Sequence, residues 1–171
     1  DRRTRAMLRQ LITPPQRLAV GKLSGDGRWF INFDQPGDVH VYDLHRSGNE
    51  PLAPLFKLPG PCDLAADFTP DSRQIAFFAE GKLKRIGLGG APPEVLADVP
   101  GGWCVGSWSS RGTFLIEVTE ATEQEGWFKL DPRQATIQQI RSFPKDRPIE
   151  PDKSFPCFLP DGRHFLFTQA L

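Results

Sequence analysis

The groups that could do covalent or metal chemistry in this chain are few: three histidines, three cysteines, scattered serines and the acidic residues. His40 and His45 lie five residues apart on an expected strand and its exit, which aims them at opposite faces, and His164 follows a turn. None has a serine or cysteine at a spacing that suggests a nucleophile and its base. A nucleophile elbow needs G-x-S-x-G, and Gly106-Ser107-Trp108-Ser109 is the nearest string. Cys62, Cys104 and Cys157 are odd in number and lack the C-x-x-C spacing of a zinc site, so buried thiols are expected, with a Cys62–Cys104 bridge as the alternative in an exported domain.

Anion and cation loops are equally unsupported. Gly21-Lys22 and Gly81-Lys82 lack the glycine loop and the following Ser or Thr of a phosphate-binding loop. Strings such as Ser24-Gly25-Asp26-Gly27 and Pro160-Asp161-Gly162 resemble pieces of calcium loops, but one aspartate per string cannot supply an oxygen cage of about six to eight ligands. The run from Glu117 to Glu125 holds four carboxylates and reads as a solvated hairpin loop, or as a site for a cation or basic partner. Trp29, Trp103, Trp108 and Trp127 would mark a binding surface only if exposed together, and core packing explains Trp29 and Trp108 first. No catalytic, metal or cofactor-binding residue is therefore assigned.

The aspartate–glycine strings have another role, because they recur. Leu23-Ser24-Gly25-Asp26-Gly27-Arg28 returns as Phe68-Thr69-Pro70-Asp71-Ser72-Arg73, as Trp108-Ser109-Ser110-Arg111-Gly112 and as Phe158-Leu159-Pro160-Asp161-Gly162-Arg163. Gly27, Ser72, Gly112 and Gly162 are spaced by 45, 40 and 50 residues, the length of a propeller blade. In each copy an apolar residue leads into a polar turn and then an apolar strand. Proline presets φ, aspartate bonds the backbone ahead of it, and glycine takes positive φ. The site residues assigned from sequence are accordingly structural turn residues: Asp26, Gly27, Pro70, Asp71, Gly112, Pro160, Asp161 and Gly162.

Behind each hairpin lies another, in which apolar and polar residues alternate with period two, as in Asp38–Leu44 and Lys82–Leu88. The expected fold is all-β: a partial β-propeller of about three and a half four-stranded antiparallel blades, a fragment of a larger ring. The blades are expected at about 18–60, 61–100 and 101–150, with an incomplete one at 151–171. Residues 1–17 read as a basic linker or a short helix capped by Thr4 and ended by Pro14-Pro15.

Composition agrees with a packed, turn-rich chain. Of 171 residues 39% are hydrophobic, and 17 prolines with 16 glycines stay below the low-complexity range. Twenty-one basic residues balance twenty-one acidic ones, which argues against a nucleic-acid partner. Arg2, Arg3, Arg5, Arg9 and Arg17 make the opening basic, as in a juxtamembrane or linker segment or a solvated surface stretch. No apolar run is long enough to span a bilayer as a helix, so any membrane link would come through flanking segments.

The turn strings resemble the S-P-D-G-R repeats of TolB-type, WD-repeat-like propellers, most closely in Phe158–Phe167. The phrase Lys82-Leu83-Lys84-Arg85-Ile86-Gly87-Leu88-Gly89-Gly90-Ala91-Pro92-Pro93 is similar to one found in propellers attached to bacterial membrane-bound serine/threonine kinases. Ser72 stands where the family has glycine, Arg111 where it has aspartate, and Asp131-Pro132 replaces the Gly-Gly phrase in the third blade. The resemblance implies a non-catalytic sensor or interaction module that binds a protein or small ligand at a propeller face. It also implies a place on the periplasmic or extracellular side of an anchored protein. The same family includes propellers of prolyl-oligopeptidase-like peptidases and TolB-like envelope partners, which are the alternative readings.

Overall fold

In the computed structural model the described residues are 18–34, 37–46, 52–60, 62, 66–99, 103–119, 125–134, 136–142 and 156–167. The expected helix over 4–12 lies outside them, and among the described residues there is no helix.

Among the described residues fourteen strands form three antiparallel four-stranded sheets and one two-stranded sheet, each in simple sequence order. Blade 1 holds β1 (Leu18–Leu23), β2 (Trp29–Asp34), β3 (Asp38–Asp43) and β4 (Phe56–Lys57). Blade 2 holds β5 (Asp67–Phe68), β6 (Gln74–Ala79), β7 (Lys82–Gly87) and β8 (Glu94–Asp98). Blade 3 holds β9 (Trp103–Trp108), β10 (Phe114–Thr119), β11 (Gly126–Asp131) and β12 (Thr136–Ser142), and blade 4 has β13 (Cys157–Phe158) and β14 (Phe165–Leu166). The first strands of successive blades touch, β5 with β9 and β9 with β13, which makes them the innermost strands of the arc. The chain is a partial β-propeller.

The core sits between blades. In β6, Ile75, Phe77 and Ala79 face blade 1 and pack with Ile31, Phe33, Val39, Val41 and Leu58. Ala76 and Phe78 point the other way, onto Phe114, Ile116 and Val118 of blade 3. Period-two alternation thus serves two cores at once, which is why β6 has no polar face and reads Gln-Ile-Ala-Phe-Phe-Ala. The outermost β12 is largely exposed and alternates less cleanly.

Two expectations need correction. Glu117 does not belong to a solvated loop: it lies in β10, 1% exposed. Cys157 is exposed rather than buried, because blade 4 presents only β13 and β14 among the described residues. Cys62 is a buried thiol whose Sγ lies 3.5 Å from the Gly60 carbonyl oxygen. The side chain of Cys104 lies outside the described residues.

Candidate binding face

Each repeat turn closes on a short backbone ladder. The N–H of Ser24, Thr69 and Leu159 donates to the carbonyl five residues on, at Trp29, Gln74 and His164, at 2.8–2.9 Å. Inside the loop, Gly27, Ser72 and Gly162 donate back to Ser24, Thr69 and Leu159 with left-handed φ of 72°, 57° and 64°. Ser72 therefore adopts the glycine conformation despite its Cβ, at a cost of about 1 kcal/mol.

The aspartates act as backbone caps. Asp26 Oδ1 accepts from the Ser24 hydroxyl at 2.6 Å and the Arg28 N–H at 3.0 Å. Asp71 Oδ1 accepts from the Thr69 hydroxyl at 2.6 Å and the Arg73 N–H at 3.1 Å. Asp161 Oδ1 accepts from the N–H groups of Arg163 and His164 at 2.9 and 3.1 Å, while His164 Nδ1 faces Asp161 Oδ2. These bonds favour the ionised form. The Ser24 hydroxyl holds the Asp26 carboxyl below its ordinary range, the Thr69 hydroxyl does so for Asp71, and for Asp161 the Arg163 N–H contributes most, then His164. Pro70 and Pro160 occupy the residue before the aspartate, and the Pro160 carbonyl also accepts from the Ser110 hydroxyl of blade 3 at 3.1 Å.

The third turn differs in a way the residue strings concealed. Ser109 N–H donates to the carbonyl of Thr113, only four residues on, so the turn is one residue shorter. Gly112 keeps the left-handed φ, at 82°, but Arg111 offers no carboxylate, and Ser109 Oγ accepts from the N–H groups of Arg111 and Thr113 instead, both at 3.2 Å. The deletion moves β10 by one position relative to its equivalents. Counted from the ladder, Glu117 then stands where Phe33 and Phe78 stand in the blades before it, at a position that faces the following blade.

The turns share one face of the arc, and there a cleft of about 620 Å³ opens between blades 1 and 2. Its walls are Asp26, Arg28 and Trp29 on one side and Asp71, Ser72, Arg73 and Gln74 on the other, with the Gly87-Leu88-Gly89 turn closing one end. Arg28 is paired on both sides of its guanidinium. Its Nη2 lies 3.0 Å from Asp43 Oδ2 and its Nε 3.3 Å from Asp43 Oδ1, while the guanidinium carbon stacks 4.4 Å from the centre of the Trp29 ring. The paired Asp43 carboxylate raises the arginine's affinity for its proton, and the guanidinium lowers that of Asp43. The Arg73 guanidinium has no ion-pair partner among the described residues. The hydroxyl of Ser72 accepts from the Asp26 N–H at 3.3 Å, tying the two turns across the seam.

The eight turn residues assigned from sequence thus lie at repeat turns, but only Asp26 and Asp71 line the cleft. Arg28, Trp29, Arg73 and Gln74 were not singled out as site residues, and the signal was available: an arginine follows the turn glycine, or the serine in its place, in three of the four strings. Trp29 and Trp108 are partly buried against the two cores, as blade packing requires. His40 and His45 lie apart from the cleft lining.

No family model matches the chain. An uncharacterized WD repeat-containing protein of Deinococcus radiodurans is 37% identical over 60 residues, which are 34% of this chain and 21% of that protein. Among solved structures, a putative TolB from Agrobacterium tumefaciens superposes with a TM-score of 0.65 at 14% identity, covering 90% of this chain and 54% of its own. An oligogalacturonate lyase in complex with manganese superposes with a TM-score of 0.59 at 10% identity, covering 82% of this chain and 41% of its own. The chain thus spans about a fifth of that relative and about half of that TolB structure. Four-stranded blades in simple order, a repeat turn in each and these superpositions together establish the fold as that of the TolB-type, WD-repeat-like β-propellers.

Proposed function

We propose that this chain is a non-catalytic binding module of a larger propeller protein, and that it engages a protein segment or small ligand at the turn-face cleft between blades 1 and 2. The observation that carries the reading is the composition of that cleft: an aromatic wall at Trp29, stacked under the Asp43-paired Arg28, faces a guanidinium at Arg73 that has no ion pair among the described residues. A rigid apolar surface opposite a free directional donor suits a ligand with a planar or aliphatic group beside a carboxylate or carbonyl. The Lys82–Pro93 phrase supports a place in a bacterial signalling protein such as a receptor-type serine/threonine kinase, exposed on the periplasmic or extracellular side.

A peptide library displayed on phage and selected on the full-length protein tests this, with the winners compared on wild type and Arg73→Glu. The exposed arginine is dispensable for the core, so binding weakened at least tenfold supports the cleft. Winners that bind both proteins equally overturn it. The lyase among the structural neighbours favours a second reading, in which the arc is part of an enzyme. Turnover by the full-length protein that depends on a residue of this chain would establish it.

A further inference from the structure

Aligning the blades on their turn ladders places Lys22, Asp67, Ser107 and Cys157 at one repeat position, immediately before Leu23, Phe68, Trp108 and Phe158. In the first three blades the side chain at this position reaches into the next blade. Asp67 Oδ2 accepts from the Trp108 N–H at 3.2 Å, and Ser107 Oγ accepts from the Phe158 N–H at 3.3 Å. Lys22 Nζ lies 3.5 Å from Asp67 Oδ2 and donates to the Gly106 carbonyl at 3.1 Å, passing over blade 2 to reach blade 3. In blade 4 the position holds the exposed Cys157.

The backbone explains why these side chains matter. The innermost strand of each blade is an edge strand, and residues two apart present both N–H and C=O away from the ladder. Gly106 and Trp108 are such a pair on β9, and two of their four outward groups are taken across the seam: the Gly106 carbonyl accepts from Lys22 and the Trp108 N–H donates to Asp67. Asp67 Oδ2 is shared between the ammonium and the amide, so the two contacts depend on each other. The lysine and aspartate side chains are 29% and 19% exposed, which leaves the pair less screened than one at the open surface.

We propose that this repeat position is an interblade latch, and that Lys22 and Asp67 with the Gly106 carbonyl couple blades 1, 2 and 3 so that they open as one unit. Blade 4, joined through the neutral Ser107 bond at the same level, opens independently of that ion pair.

Hydrogen exchange on the full-length protein, resolved to single residues, tests the latch with the amides of β10 as internal reference. Asp67→Ala should speed exchange of the Trp108 amide at least tenfold relative to β10. Asp67→Asn keeps an acceptor without the charge, so the Trp108 amide should stay within about threefold of wild type while losing its salt dependence. Lys22→Met should speed the same amide several-fold in the wild type and by clearly less in the Asp67→Asn background, where the ion pair is already gone and only the bond to the Gly106 carbonyl is left to lose. An equal effect of Lys22→Met in both backgrounds overturns the proposal, as does a Trp108 amide that Asp67→Ala leaves within twofold of wild type. Should Asp67→Ala speed every amide alike through unfolding, the comparison of Lys22→Met in the two backgrounds decides alone.

Discussion

Replacing Thr69 by valine removes one hydroxyl from a buried position and changes the shape very little. That hydroxyl donates to Asp71 Oδ1 at 2.6 Å and accepts from the Gln74 N–H at 3.1 Å, in a residue that is 7% exposed. The variant leaves the Gln74 N–H without its side-chain acceptor and takes from Asp71 the largest cause of its lowered pKa. An unsatisfied buried donor costs about 1–3 kcal/mol, and the bond to an ionised acceptor falls in the upper part of that range. The loss must depend on pH. A carboxyl whose folded pKa is depressed contributes stability that is present above its unfolded pKa and lost as pH falls through the folded value. The difference between wild type and Thr69→Val should thus be largest near neutrality and shrink below the ordinary aspartate range of about 3.9. Ser109→Ala is the matched control. Its hydroxyl accepts from two N–H groups, but Arg111 stands at the carboxylate position, so its cost carries no contribution from this titration. Urea unfolding of the full-length protein, followed by tryptophan fluorescence across pH, measures both. A Thr69→Val penalty equal at pH 7 and pH 3, or one that tracks the Ser109→Ala penalty at every pH, would refute the assignment of Asp71 as an ionised cap.

Gly106 lies under an aromatic ring: an added Cβ would stand 2.6 Å from Phe114 Cε1 and 2.8 Å from the Leu115 carbonyl oxygen. Gly106→Ala should therefore cost about 1–3 kcal/mol in a denaturant titration. Adding Phe114→Ile, which copies the Ala66 and Ile75 pair of blade 2, should recover part of that loss; a double variant no better than the single would show that the backbone contact dominates. Gly112→Ala should lower stability by about 1–2 kcal/mol because φ there is 82°, and a neutral result in the same titration would mean that the turn relaxes. Phe77→Ala, fully buried between blades 1 and 2, should cost about 3–5 kcal/mol, whereas Leu166→Ala, at a position 63% exposed, should change stability by less than about 0.5 kcal/mol if nothing covers blade 4 in the full-length protein. A large Leu166→Ala penalty would reveal a covering segment. In the isolated 171-residue arc, hydrogen exchange should be slowest in β6, which is buried from both sides, and faster in the terminal blades; uniform protection in a monomer would contradict this.

The strand boundaries were largely legible from the residues. The four turn strings punctuate the chain at blade-length intervals, and alternation in Asp38–Asp43 and Lys82–Gly87 sets which residues face a core, so β3 and β7 fall where their patterns put them. Short outer and inner strands were less legible. In the outer part of blade 1 only Phe56–Lys57 pair with β3, because pairing there needs a partner and not a propensity. The turn-face cleft was not legible from the residues, since its walls come from turns 45 residues apart whose residues individually look like repeat punctuation.

What the sequence determined alone is local: turn chemistry depends on residues within one hairpin, and alternation depends on the strand's own pleat, so both can be read without knowing the neighbours. What only the tertiary structure decided is how one blade addresses another. The single-residue shortening of the third turn, hidden by a glycine at the expected place, shows only when the Ser109–Thr113 ladder is compared with its equivalents. Because side chains in a strand change face at each residue, that one deletion carries Glu117 into a position held by phenylalanine in blades 1 and 2. The reach of Lys22 past blade 2 to Gly106 depends likewise on the closeness of the inner strands, which no string of residues encodes by itself.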